Sequence, residues 1–285
     1  MSRVIYSLYI DIDENELDFY DKNILKKDHM PGNLFAKIQF KKNYNKLKVM
    51  QKAYADENKC DYILFENDNQ FKDFKKVFQE KYPYLTTYNI VNFYKLYLLY
   101  ELSNKYDEIL YLDFDVVPLN FDNFFEQNDL SKGIFVLNNN ERVSHLNDIG
   151  ENTQTIRSPN AKYYNAQAML LEKGLNTKND VINTGIIGIN KQHLIKLNYF
   201  KDFDENLNLM TKLKSDDMFP KRIVKYFGYD NETLFSVKLQ ENKVPVKWLD
   251  KKWHYFFDWP IYIPEGVTFV HAINKKFDVI WDRYA

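Results

Sequence analysis

The chain has 285 residues, and its 39 basic and 40 acidic side chains leave a formal net charge of -1, so no global field is present to hold a polyanion such as nucleic acid. That length suits a single domain with a substantial core, and no Pro/Gly/Ser-rich linker, repeat or low-complexity tract divides it. One cysteine, Cys60, excludes an internal disulfide and suits a reducing, cytoplasmic setting, and no stretch approaches the roughly 20 apolar residues of a membrane span.

The N-terminus, MSRVIYSLYIDID, lacks the apolar region and cleavage site of a signal peptide and reads as a first strand over 3–10. Further strands are predicted over 61–66, 108–117, 133–138, 181–189 and 266–271. Helices are predicted near 40–57, 70–80, 88–104, 160–173, 191–200 and 217–227. This alternation predicts an α/β, Rossmann-like fold with a mostly parallel central sheet flanked by helices.

Within the helix of residues 88–106, Val91, Lys95, Leu98, Leu99 and Leu102 share one face. Lys95 interrupts an apolar stripe. A lysine taken out of water shifts its pKa or finds an anion, such as a phosphate; otherwise its stem packs while its head reaches solvent.

The next segment, DEILYLDFDVVPL at 107–119, reads as a strand buried on both faces and interrupted by two aspartates. Asp113 and Asp115 are two residues apart, so on a strand they project to the same side. Converging carboxylates repel unless a cation lies between them, which points to a divalent metal. A solvated strand-to-loop corner is the plainer reading of the same tripeptide.

Further along, the loop 138–160 is long and polar, as specificity loops often are. In NTGIIGIN, 183–190, Gly185 and Gly188 either relieve backbone crowding or let a ligand approach the main chain. SDDMFP, 215–220, offers Ser215 or Asp216 as a helix cap ahead of Pro220. The aromatic segment 251–264 suits a core or hairpin, with a sugar-stacking platform or a membrane-interface patch as other uses. The last predicted strand runs into His271, followed by Lys275 and Lys276. Two carboxylates with one imidazole favour Mn²⁺ over Mg²⁺, which remains the alternative, and the lysines suit a diphosphate.

Taken in order, these segments resemble the GT-A glycosyltransferases, in particular the retaining family 8 group that includes glycogenin and bacterial lipopolysaccharide galactosyltransferases. The counterparts of the family motifs are Lys95, YLDFDVV at 111–117, NTGIIGIN at 183–190, SDDMFP at 215–220 and HAINKK at 271–276. The order and approximate spacing match from about residue 88 to the end. The sequence departs from the family in having lysine for arginine at 95, Asn274 for a glycine, no terminal Pro-Trp, and no glutamine after Asp216 or Asp217.

The resemblance implies one GT-A domain over 1–285, with a nucleotide-binding half to about 117 and an acceptor-binding half beyond it. It implies transfer of a hexose, with retention, from a UDP-sugar to a hydroxyl on a glycan, lipid-linked sugar or protein. Asp113, Asp115 and His271 would hold the metal. Tyr9, Lys95, Asp113, Lys275 and Lys276 would bind the donor, and Asp216, Asp217 and Asn183 would serve the chemistry on the acceptor side.

Two other readings of the sequence stay open. A haloacid-dehalogenase-like phosphohydrolase would use Asp11 of IDIDEN or Asp113 of LDFDVV as nucleophile, although neither continues into the expected Gly-Thr. A non-catalytic carbohydrate- or nucleotide-binding module on the same scaffold would have no need to keep metal ligands.

Overall fold

The computed structural model describes residues 1–17, 32–144, 158–224, 226–257 and 262–284. Residues 145–157 of the loop 138–160, residue 225 of the helical stretch 217–227 and residues 258–261 of the aromatic segment lie outside the described residues.

In chain order the elements begin with β1 (Arg3–Leu8), α1 (Gly32–Glu57), β2 (Asp61–Phe65), α2 (Asn69–Lys81) and α3 (Thr87–Leu102). Next come β3 (Glu108–Leu112), β4 (Val116–Pro118), α4 (Phe124–Gln127), β5 (Ile134–Asn138), α5 (Ser158–Glu172), β6 (Ile182–Asn190) and α6 (Lys191–Leu197). The chain ends with α7 (Phe203–Lys214), α8 (Lys221–Val224), α9 (Asn231–Glu241), β7 (Val246–Trp248), β8 (Tyr255–Phe256), β9 (Phe269–His271) and α10 (Phe277–Arg283). This is a mixed α/β fold in two compact units: Met1–Ser131 with Gly185–Lys191 and Leu249–Ala285, and Lys132–Thr184 with Gln192–Trp248.

In the first unit, β1 lies between β2 and β3 and is parallel to both, with Ile5 opposite Tyr62 on one side and Leu110 on the other. Every residue of β3 is buried, as the apolar run from Ile109 to Leu112 requires of an inner strand, and its first residue, Glu108, pairs with Arg3. On its far edge β3 pairs antiparallel with β6, Leu110 opposite Gly188. A Cβ on Gly188 would sit 2.6 Å from the buried Phe124 ring, so this glycine makes room for core packing. A small sheet in the order β4-β9-β8 completes the unit. In the second unit β5 and β7 are parallel, and α5 packs against α7, α8 and α9. No described helix is long and apolar enough to cross a membrane.

Four sequence expectations are corrected. The single strand over 108–117 is two, because the chain turns at Asp113–Asp115 before β4. The strand expected over 266–271 is only Phe269–His271. Among the described residues of the helix expected over 217–227, only Lys221–Val224 are helical. Ser215 closes α7 instead of opening a helix, and the Asp216 carboxylate accepts from the backbone of Met218 in the turn that follows. The unpredicted α9 has no polar face: Asn231 to Leu239 are all buried, so it lacks the stripe that reveals a helix in sequence.

Candidate functional site

The two aspartates converge because of a turn and not because of strand pleating. After Leu112 the Asp113 N–H donates to the Gly185 carbonyl at 2.7 Å, and the Val116 N–H closes back onto the Asp113 carbonyl at 2.9 Å. The amide of the fully buried Gln51 on α1 clamps this turn, donating to the carbonyls of Asp113 (3.1 Å) and Val116 (2.8 Å). Its own oxygen accepts from the hydroxyls of Ser7 (2.6 Å) and Tyr62 (3.0 Å). Gln51 is therefore fully satisfied, and it ties the turn to β1 and β2.

Pairing of β4 with β9 brings in the histidine. Val116 lies opposite His271, and the Ala272 N–H donates to the Asp115 carbonyl at 3.0 Å. His271 Nε2 stands 3.3 Å from Asp115 Oδ2 and 3.7 Å from Asp113 Oδ2. One ligand atom from each of these three residues lies within 4.8 Å of the others. Lys275, in a left-handed conformation at φ 54°, forms an ion pair with the same Asp115 oxygen. Burial alone would push the Asp115 carboxyl up, but the Lys275 ammonium and the His271 ring hold it well below the usual carboxylate range. Asp115 is therefore ionised although buried.

Behind Asp113 stands the lysine of α3. The helix starts from a reciprocal cap between Thr86 and Asn89, which fixes its first turn. Two turns later Lys95 is 4% exposed, with its ammonium 3.5 Å from Asp113 Oδ1 and 5.3 Å from the centre of the Tyr111 ring. The Tyr111 hydroxyl donates to that oxygen at 2.5 Å. Burial and the neighbouring Asp113 push the Tyr111 hydroxyl well above its ordinary pKa, so it remains a donor. Tyr111 and Lys95 thus both face Oδ1, while Oδ2 faces His271.

The remaining donor-side residues are spread out. Tyr9 packs its ring 4.9 Å from Phe114 and 5.2 Å from Tyr44, and burial together with Asp11 pushes its hydroxyl up to about 12. Lys276 is exposed at the start of α10 and is not among the residues gathered at Asp115. A cleft of about 660 Å³ opens past the ends of β1 and β2, lined by residues that include Ile10, Asp11, Asn67, Phe71, Lys72 and Thr87. None of Asp113, Asp115 and His271 lines it.

The acceptor-side candidates belong to the second unit. Asn183 is partly buried on β6. Asp216 serves the turn described above, and Asp217 is 88% exposed and 3.6 Å from Lys221. Sequence reasoning overlooked a buried polar cluster in this unit. The Glu232 carboxylate accepts from the backbone of Thr184 at 2.7 Å and from its hydroxyl at 3.1 Å, and it also pairs with Lys162. In the first unit it overlooked Gln51, Tyr111 and His254. Gln51 had the same signal as Lys95, a polar residue on the buried stripe Leu47, Tyr54, Ala55. For His254, whose Nε2 lies 2.9 Å from His271 Nδ1, no local pattern existed.

No family model matches the chain, and a search of curated proteins finds no match. Solved structures give remote similarities. A glycosyltransferase involved in the glycosylation of the major capsid of PBCV-1 is 13% identical, with 96% of this chain and 93% of that one covered at a TM-score of 0.47. The galactosyltransferase LgtC, in complex with donor and acceptor sugar analogs, is 12% identical over 95% of this chain and 87% of its own, at a TM-score of 0.46. Mouse xyloside xylosyltransferase 1 is 11% identical over 75% of each chain, at a TM-score of 0.41. At these values the neighbours assign no family or activity to this chain.

Proposed function

We propose that this protein is a metal-dependent glycosyltransferase of the GT-A kind that moves a hexose from a UDP-sugar to an acceptor hydroxyl with retention. The observation that carries the reading is the convergence of Asp113, Asp115 and His271, flanked by Lys95 and Lys275. Two carboxylates and an imidazole are a donor set that fits Mn²⁺, with Mg²⁺ the alternative. A divalent cation held by these three residues would supply Lewis-acid stabilisation to the leaving diphosphate.

The chain's own contribution is positional and electrostatic. Lys95 pairs with Asp113 and Lys275 with Asp115, so both ammonium groups lie beside the carboxylates and suit neutralisation of the charge that grows on a departing diphosphate. Lys276 would add to that neutralisation from its exposed position. The cleft past β1 and β2 is of a size that holds a nucleotide, and it opens at the carboxyl ends of parallel strands, where α/β folds bind ligands. Tyr9 is proposed to border the donor at that edge. Asp216, Asp217 and Asn183 remain the proposed acceptor-side residues. The phosphohydrolase reading gains no support at either candidate nucleophile: Asp11 is held in ion pairs with Lys37 and Lys41, and Asp113 accepts from the Tyr111 hydroxyl and faces Lys95 and His271.

The test is release of UDP from a panel of UDP-sugars by pure protein with Mn²⁺. Turnover should disappear on chelation and in Asp115→Asn, which keeps the side-chain shape but removes the charge. Turnover that survives both changes would sink the proposal.

A further inference from the structure

His254 is a buried titratable side chain with no part in the reaction just proposed. It is 2% exposed, and its backbone N–H donates to the Asp250 carbonyl at 3.0 Å in the turn that precedes β8. Its ring packs edge-on against Phe256 at 4.9 Å and lies 5.1 Å from the His271 ring. The two rings meet at 2.9 Å between His254 Nε2 and His271 Nδ1, so one nitrogen must donate and the other accept. The choice decides what His271 presents on its other side, where Nε2 faces both carboxylates. If His254 donates, His271 Nε2 carries a proton and cannot ligate a metal. If His254 accepts, His271 Nδ1 carries the proton and Nε2 presents a lone pair.

We infer that His254 is a positioning residue whose Nε2 accepts a hydrogen bond from His271 Nδ1–H, and so holds His271 with its Nε2 lone pair aimed at the point shared by Asp113 and Asp115. This rests on the metal-site reading above and deepens it. Two features of the fold suit the role. Parallel pairing sets Phe256 opposite His271, which places His254 two residues back along the same short strand connection. The burial of both rings keeps water from replacing the bond. A partner on the second nitrogen fixes both the tautomer and the plane of a metal-bound imidazole.

The experiment is calorimetric titration of Mn²⁺ alone into wild type, His254→Phe, His254→Gln and Asp115→Asn. Phenylalanine fills the ring's space without accepting, whereas the glutamine side chain can place an oxygen where Nε2 stands. Affinity should fall about 10–100-fold in His254→Phe and return to within a few-fold of wild type in His254→Gln. Wild-type affinity in His254→Phe would overturn the inference, as would equal weakening in both variants, which would mean packing alone. Loss in Asp115→Asn without loss in His254→Phe would overturn the inference while sparing the metal site. Absence of binding by wild type would remove the metal site and the inference with it. Should His254→Phe fail to fold, NMR of isotope-labelled histidine in the Zn²⁺-loaded wild type decides. A protonated His271 Nδ1 beside an unprotonated His254 Nε2 supports the inference, and the reverse overturns it.

Discussion

Replacing Lys95 with methionine removes a charge from α3 while keeping most of the side chain's length. Lys95 is 4% exposed, so its stem packs in the core, and methionine is flexible enough to fill the same path. The Lys95 nitrogen is 3.5 Å from Asp113 Oδ1, at the edge of hydrogen-bond range. Asp113 keeps the Tyr111 hydroxyl at 2.5 Å, and with a side chain 27% exposed it can also be hydrated. Loss of this pair is offset in part by not having to desolvate an ammonium, and thermal melts read that balance apart from binding. Donor binding is the direct readout of the charge. A charge-assisted contact to phosphate is worth about 1.5–3 kcal/mol, or about 10–100-fold in affinity. Calorimetric titration of a UDP-sugar with Mn²⁺ into both proteins, beside thermal melts of each, separates the two effects. Unchanged donor affinity in the variant would show that Lys95 only packs, whatever happens to the melting temperature.

Other residues give independent tests. Gln51→Leu strands the Val116 carbonyl and removes the acceptor shared by Ser7 and Tyr62, while the Asp113 carbonyl keeps the Val116 N–H; at about 1–3 kcal/mol per buried group left unmade, a loss of about 2 kcal/mol or more is expected in urea denaturation. A loss below about 1 kcal/mol would mean that the turn holds without its clamp. Gly188→Ala drives a methyl to within 2.6 Å of the fully buried Phe124 ring, and overpacking of this kind should cost about 1–3 kcal/mol, read as a lower thermal midpoint. In the second unit, Glu241 meets Lys238 at 2.9 Å and Lys173 at 3.1 Å. Burial raises its pKa, but the two lysines more than reverse this and leave it lowered. A carboxyl lowered on folding adds stability above its unfolded pKa of about 4.3 and loses it as pH falls through the folded value. Wild type should therefore be more stable than Glu241→Gln near pH 7, and the gap should close in acid; a gap independent of pH would contradict the ion-pair account.

What the sequence determined by itself was local. Apolar runs without alternation, as in β3, mark inner strands, because a residue buried on either face must be apolar whatever its partner. A polar residue on an otherwise buried helical stripe marks a side chain with a buried partner, and this signal stands at Lys95 and equally at Gln51. The donor types at Asp113, Asp115 and His271 state which chemistry is available. The assembly of those types was decided by tertiary structure. Side-chain alternation along a continuous strand was the wrong reason for the aspartates to converge, since the backbone leaves β3 at Leu112 and is held in a turn by Gln51 and Gly185. His271 reaches Asp115 through the register of β4 against β9, and Lys275 reaches it across 160 residues of chain. Local periodicity reports how each residue is buried, but it does not say which distant strand will be its neighbour. For the same reason His254 left no trace in sequence: its meaning lies wholly in the ring nitrogen 2.9 Å away, on a strand that joins it only when the chain folds.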